Sequence, residues 1–169
     1  MAGHIIHKLV VDGLRIKYEG LFDIAEFYKE VEEWMKEKDM EKEIKKKEEH
    51  VKAAGKRLQW FIEIWKKPMD YVKQVVRVNV LMDNVKETYI VKGGAKKELN
   101  KGEVLIIFDA FLESDIAGRW QQKPVFWFLR AIYDKYIWNL WTNRYENELV
   151  NLTYDLHKRL HGFFNLYKY

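Results

Sequence analysis

The feature that most constrains the fold is an alternation of apolar and polar side chains that runs from Arg57 to Asp115. A period of two is typical of β-strands, because successive side chains point to opposite faces of a sheet. A turn at Lys67-Pro68-Met69 pairs Trp60 with Val76 and collects large apolar groups on one face. The pattern therefore predicts an antiparallel meander with one apolar face and one mixed face.

Further turns are predicted within this stretch. A turn near Asn84 places Tyr89 beside Val80, so that the apolar face continues into another strand. Gly93-Gly94 and Asn100-Lys101-Gly102 are typical turn sequences, because glycine and asparagine adopt the backbone conformations that tight turns require. The last strand of the predicted meander follows the second of these two turns.

The N-terminal segment predicts a hairpin followed by a helix. Asp12-Gly13 is a strong hairpin signal between two alternating runs. Asp23 is then placed to cap a helix whose apolar residues recur at helical spacing. These residues are Ile24, Phe27, Tyr28, Val31, Trp34 and Met35. The charged run from Lys36 to Arg57 predicts a solvated helix or a connector, because positive and negative charges are interleaved along it.

Two helices are predicted near the C-terminus, in a stretch from Trp120 to Tyr169 that carries four of the seven tryptophans. The first begins at Pro124 and runs to about Trp141, and the second runs from about Glu146 to Phe164. The apolar stripe of the second helix is Leu149, Leu152, Leu156, Leu160 and Phe163.

Together these elements predict a single α+β domain over residues 1–169. Its antiparallel sheet, formed by the N-terminal hairpin plus the β-meander, is packed on one face by an N-terminal helix and two C-terminal helices. The order of elements is similar to that of helix-grip folds of the lipid-transfer kind. This similarity lies in the architecture and includes no diagnostic residue.

The residue inventory favours a protein that is not an enzyme. The chain has no cysteine, and its single serine, Ser114, lacks the flanking glycines of a nucleophile elbow. His157 and His161 have the spacing of two metal ligands on a helix, but two ligands do not complete a site. Asp109 is expected to be a cross-strand or surface charge, with a catalytic or ligand role as the alternative. We predict no catalytic residue, no metal and no cofactor.

The composition and the termini predict a cytoplasmic protein. The first residues lack the continuous apolar core of a secretory signal, and the apolar helix 125–141 is about 25 Å long, too short to cross a bilayer. Abundant lysine and glutamate with few serines and threonines are typical of proteins from hot environments. The net charge is +4, but the charges are not segregated into a nucleic-acid-binding arm.

The leading hypothesis for function is a non-enzymatic interaction or assembly domain. It would bind a protein partner, or its own copy, through surplus aromatic surface. The residues expected to form that interface are Phe61, Trp65, Tyr71, Arg77, Phe111, Trp138 and Trp141. The alternative is a carrier of a small apolar ligand, held between the apolar sheet face and the C-terminal helices. Its expected lining is Trp60, Tyr89, Phe108 and Trp127.

A third hypothesis is single-stranded RNA binding by the mixed face, with Phe61 and Arg77 as the residues that test it. The chain has no ribonucleoprotein signature, and Glu63, Asp109 and Glu113 on the same face would repel phosphates. RNA therefore stays open as a less favoured partner.

Overall fold

The computed structural model of the chain describes residues 6–70, 72–114, 132 and 138–167. Within them the backbone forms five antiparallel strands and two helices, so the expected α+β class with an antiparallel sheet is confirmed. The strands are β1 (Ile6–Phe22), β2 (Glu41–Lys52), β3 (Gly55–Met69), β4 (Val72–Lys92) and β5 (Ala95–Ser114). The helices are α1 (Ile24–Glu37) and α2 (Trp138–Asn165).

All five strands belong to one sheet with the order β1-β5-β4-β3-β2. Strands β2 to β5 follow one another as a meander, β1 lies next to β5, and α1 connects one edge strand to the other. Both helices pack on the same face of the sheet. Phe27 of α1 contacts Trp60 of β3, and His157 of α2 contacts Phe108 of β5. We call this face the helix side and the opposite face the outer face.

The predicted N-terminal hairpin is wrong, because β1 is one long strand that pairs with β5 from end to end. Asp12 and Gly13 form a bulge in β1, where the two residues lie opposite Asp109 alone. Gly13 has a φ of 68°, which glycine adopts without strain, and its N–H donates to Oδ1 of Asp109 at 2.8 Å. The Asp-Gly pair therefore bends a strand instead of reversing the chain, and Asp109 is the cross-strand group that holds the bulge.

The predicted turns near Asn84 and at Asn100-Lys101-Gly102 are also wrong, since β4 and β5 run through both places. Asn84 and Val85 form a second bulge opposite Gly102. Asn84 has a φ of 53°, a conformation that asparagine tolerates, and a Cβ at residue 102 would lie 3.0 Å from a backbone oxygen of β4. The chain reverses at Gly93-Gly94, as predicted.

The turn between β3 and β4 lies later in the chain than predicted. Met69 pairs with Val72, and Trp60 pairs with Val80 instead of Val76. Because this displacement is four residues, an even number, the side chains of residues 58–66 and 74–82 stay on the faces where they were expected. The apolar helix side and the mixed outer face are therefore preserved despite the different register.

The charged run after α1 forms β2, an edge strand, instead of the expected solvated helix or connector. All of its residues are exposed, as expected for an interleaved charge pattern. Ion pairs hold it to its neighbours: Lys42 pairs with Glu32 of α1, and Lys45 pairs with Glu63 of β3. Backbone pairing with β3 explains why so polar a segment forms a strand.

The helix α2 begins at Trp138, so the break expected between Trp141 and Glu146 is wrong. Only Ile132 and residues 138–141 of the helix predicted from Pro124 to Trp141 belong to the described residues. The expected three helices are therefore not matched. The predicted apolar stripe of the last helix is confirmed, because all of its members are buried. These are Leu149, Leu152, Leu156, Leu160 and Phe163.

Aromatic rings fill the space between sheet and helices at the end where α1 begins and α2 ends. Phe164 of α2 stacks on Tyr18 of β1 with ring centroids 4.7 Å apart, and its centroid lies 5.8 Å from that of Phe27 in α1. The centroids of Phe27 and Trp60 of β3 are 6.2 Å apart. Each fully buried ring of this kind contributes on the order of 2–3 kcal/mol. This cluster joins both helices to the sheet.

Polar contacts also join α1 to α2. The guanidinium of Arg159 donates to three carboxylates of α1 at 2.8, 3.5 and 2.7 Å. These belong to Glu30, Glu33 and Glu37. The indole N–H of Trp34 donates to Asp155 at 2.9 Å, and this hydrogen bond lowers the pKa of the Asp155 carboxyl. The two helices are thus fixed to each other as well as to the sheet.

The bulge in β1 generates a prediction about stability. Asp109→Ala removes the charged acceptor of the Gly13 N–H and is expected to lower the free energy of unfolding by about 1–3 kcal/mol. Asp109→Asn keeps an acceptor oxygen and should lose less. Urea denaturation measures both, with Asp12→Ala as the control, since exposed Asp12 is expected to change stability by less than about 0.5 kcal/mol. Equal effects of Asp109→Ala and Asp12→Ala would contradict the assigned bulge.

Candidate functional site

The sheet continues beyond the helices at the Gly93-Gly94 end. Past Val85, β4 no longer pairs with β3, and β1 pairs with β5 only as far as Asn100. Within the described residues, residues 86–99 therefore pair only with each other, as a two-stranded hairpin that we call the ribbon. It is about 23 Å long, at about 3.3 Å per residue. An isolated two-stranded hairpin is marginally stable in water, so the ribbon depends on its attachment to the rest of the sheet.

Three large apolar side chains are exposed on the helix side at this end of the sheet. Val51 of β2 is 78% exposed, and Tyr89 and Val91 of the ribbon are 54% and 77% exposed. Their placement on the helix side follows from the register, because residues two or four apart in a strand share a face. Val51 is two residues from Glu49, which pairs with Leu58 on the helix side, and Tyr89 is four residues from buried Val85. We call these three residues the open face. They extend the apolar face of the core past the helices that cover it.

A groove of about 770 Å³ lies between the open face and the first turns of α1. Its apolar lining comes from Ile24, Ala25, Tyr28, Leu58 and Val85. Its charged lining has four carboxylates on the helix side against two ammonium groups, whereas the carboxylate of Glu48 pairs with Lys46 and His50 on the other face. The groove is therefore acidic in a chain that is basic overall. The charged residues are Asp23, Glu48, Glu49, Glu87, Glu98, Lys47 and Lys56.

Hydrogen bonds fix the wall of the groove that α1 provides. The side chain of Asp23 caps the helix by accepting from the N–H groups of Ala25 and Glu26. Asn100 of β5 accepts from the N–H of Ile24 at 3.2 Å. Burial raises the pKa of Tyr28, and nearby Glu49 raises it further, so its hydroxyl is neutral and can donate at neutral pH. The groove is therefore a formed feature of the fold.

The outer face carries four of the predicted interaction residues, Phe61, Trp65, Arg77 and Phe111, and its cations lie against its aromatic rings. The guanidinium of Arg77 lies 4.8 Å from the ring centroid of Phe111 and 5.6 Å from that of Phe61, and it donates to Glu63 at 3.0 Å. Lys73 lies 4.6 Å from the ring centroid of Trp65. Phe111, whose ring lies beside the guanidinium of Arg77, is only 8% exposed. These aromatic groups interact largely with their own chain.

The residues predicted to line a ligand cavity are not all brought together. Trp60 packs against Phe27 and Tyr28, and Phe108 packs against His157. Tyr89 lies nine residues along β4 from Val80, which pairs with Trp60. Tyr89 is therefore about 30 Å from Val80 along the strand. Trp127 and Tyr71 lie outside the described residues, as do the side chains of Trp138 and Trp141.

The open face and the groove were missed at the level of sequence because Tyr89 and Val91 were assigned to a covered strand. The available signal was the spacing of turn residues. A strand that reverses only at Gly93-Gly94 is longer than any helix the sequence predicts on its helix side, so its far end extends beyond those helices.

The histidine pair of the last helix has other partners. Nε2 of His157 is 3.1 Å from the backbone oxygen of Arg15, and Nδ1 of His161 is 3.2 Å from the side-chain amide of Asn165. Among the described residues, no group of three acidic or histidine side chains is placed to hold a metal ion.

Comparison of the chain with protein-family models, curated proteins and solved structures found no match. In the part of the chain that the structure describes, neither helix combines the length and apolar composition needed to cross a membrane. The cytoplasmic location and the single domain over residues 1–169 stay predictions.

The packing of the outer face can be tested at Arg77. Arg77→Gln removes the cation from two aromatic rings and from Glu63, and we expect a loss of about 1–2 kcal/mol in the free energy of unfolding. Arg15→Gln is the matched control, because Arg15 is exposed on β1 and should change stability by less than about 0.5 kcal/mol. Thermal or urea unfolding measures the stability of both variants. Equal stability of Arg77→Gln and Arg15→Gln would refute this packing.

Proposed function

We propose that the chain is a non-enzymatic binding domain that takes a protein partner on its open face. The observation that carries this proposal is the exposure of Val51, Tyr89 and Val91 on a face that is otherwise a buried core. Apolar groups that extend a core into solvent gain free energy when another surface covers them, at roughly 25 cal/mol per Å². Exposed apolar groups next to charged residues are typical of protein interaction sites.

The ribbon and the groove support a protein rather than a small molecule as the occupant. The open face is spread over two hairpins, and an extended surface of this shape fits another chain. The groove beside it adds carboxylates, of which Glu87 and Glu98 lie on the ribbon itself. A partner with apolar groups flanked by lysines or arginines would match both features.

A carrier function is the second candidate, because the groove volume of about 770 Å³ lies in the range of small-molecule sites. It differs from the expected cavity beneath the sheet, since Leu58 and Tyr28 line it rather than Phe108. Native mass spectrometry of gently purified protein tests this candidate. A bound molecule that is lost on Leu58→Glu would support it, and a mass equal to that of the bare chain would oppose it.

Site-specific photo-cross-linking tests the protein-binding proposal. A benzophenone amino acid at Val91 or Val51 is expected to form protein adducts in a native extract, and Tyr89→Glu in the same chain should remove most of them, because a carboxylate disfavours apolar contact. The same probe at Leu9, which is 55% exposed on β1, is the control. Identical adducts from Leu9, or no adduct from either open-face position, would contradict the proposal.

A further inference from the structure

We infer that the partner on the open face is a second copy of this chain, and that two ribbons pack face to face about a two-fold axis. This inference rests on the proposed function and names its partner. It is based on the arrangement of apolar and charged side chains on the helix side of the ribbon.

That side of the ribbon has two rows of different chemistry. On β4 the row begins with Glu87 and continues toward the turn with the apolar residues Tyr89 and Val91. On β5 the row is charged, with Glu98 directly opposite Tyr89 and Lys96 directly opposite Val91 in the strand register. Lys96 also lies 4.1 Å from the ring centroid of Tyr89, which keeps the two rows in contact.

A two-fold axis that lies across the strands makes these rows complementary. It places β4 over β4 of the second copy and reverses the strand direction, so Tyr89 faces Val91 of the second copy. The same rotation places Lys96 over Glu98 of the second copy. Both contacts occur twice, as every contact does in an isologous interface. Apolar groups therefore meet apolar groups, and each lysine meets a carboxylate.

The other face-to-face arrangement is unfavourable. A two-fold axis that runs along the strands places β4 over β5, so that Tyr89 and Val91 face Glu98 and Lys96 of the second copy. That packing buries charged groups against apolar ones without ion partners. Pairing through the edge of β2 is disfavoured as well, because lysines on edge strands oppose strand addition. The lysines of β2 are Lys42, Lys45, Lys46, Lys47 and Lys52.

The contact is small, so the association is expected to be weak. A two-stranded ribbon about 23 Å long and about 10 Å wide offers roughly 230 Å² per copy, below the area of standard stable interfaces. We expect a dissociation constant of about 10 µM or higher. The test therefore needs purified protein over a wide concentration range.

Charge reversal followed by sedimentation equilibrium tests the inference. Lys96→Glu alone and Glu98→Lys alone each replace two ion pairs by two like-charge contacts and should raise the dissociation constant roughly tenfold or more. The double variant Lys96→Glu/Glu98→Lys restores both pairs and should associate like the wild type. An equimolar mixture of the two single variants should form a heterodimer, because each complex then contains two opposite-charge pairs. Lys97→Glu, on the other side of the ribbon, is the control and should have little effect.

Purified wild-type protein that stays monomeric at every concentration would overturn the inference. Equal affinities for both single variants and the wild type would overturn it too, and so would a mixture that associates no better than its components. None of these results affects adducts to other proteins in the cross-linking experiment, so the broader binding function can survive when the second copy is not the partner.

Discussion

The longest strand of this protein is much longer than the helices that cover the sheet. At about 1.5 Å per residue, the 14 residues of α1 and the 28 residues of α2 span about 21 Å and about 42 Å, whereas the 21 residues of β4 span about 70 Å at about 3.3 Å per residue. One part of the sheet is therefore a buried core, and the remaining part carries the same alternation into solvent. The exposed groups of the open face, the groove beside α1 and the unsupported ribbon all follow from this difference in length.

The covered part of the sheet is held by two different kinds of contact. Rings of Tyr18, Phe27, Trp60 and Phe164 interlock the helices with the sheet, and the guanidinium of Arg159 fixes α2 to the glutamates of α1. The aromatic cluster lies where α1 begins, so the covered part ends in a well-packed wall. The ribbon therefore projects from a well-packed base.

The alternation of residues from β3 to β5 was sufficient to predict the sheet and its apolar side, and the helical spacing of leucines was sufficient to predict the buried stripe of α2. The number of strands was not predictable in the same way. Asp12-Gly13 and Asn84 have the chemistry of turns, but the same backbone conformations occur in bulges, and only pairing with β5 decides between the two. The open face depended on that decision, since a turn at Asn84 returns Tyr89 to the core and a bulge carries it beyond the helices.

The central claim is that β4 consists of a covered half and an uncovered half. Hydrogen exchange of its backbone amides measures this directly, because exchange reports the local opening free energy along one strand. In dilute protein, amides from Val76 to Met82 should exchange slowly and amides from Lys86 to Lys92 should exchange much faster. Uniformly slow exchange along β4 in dilute protein would contradict the claim.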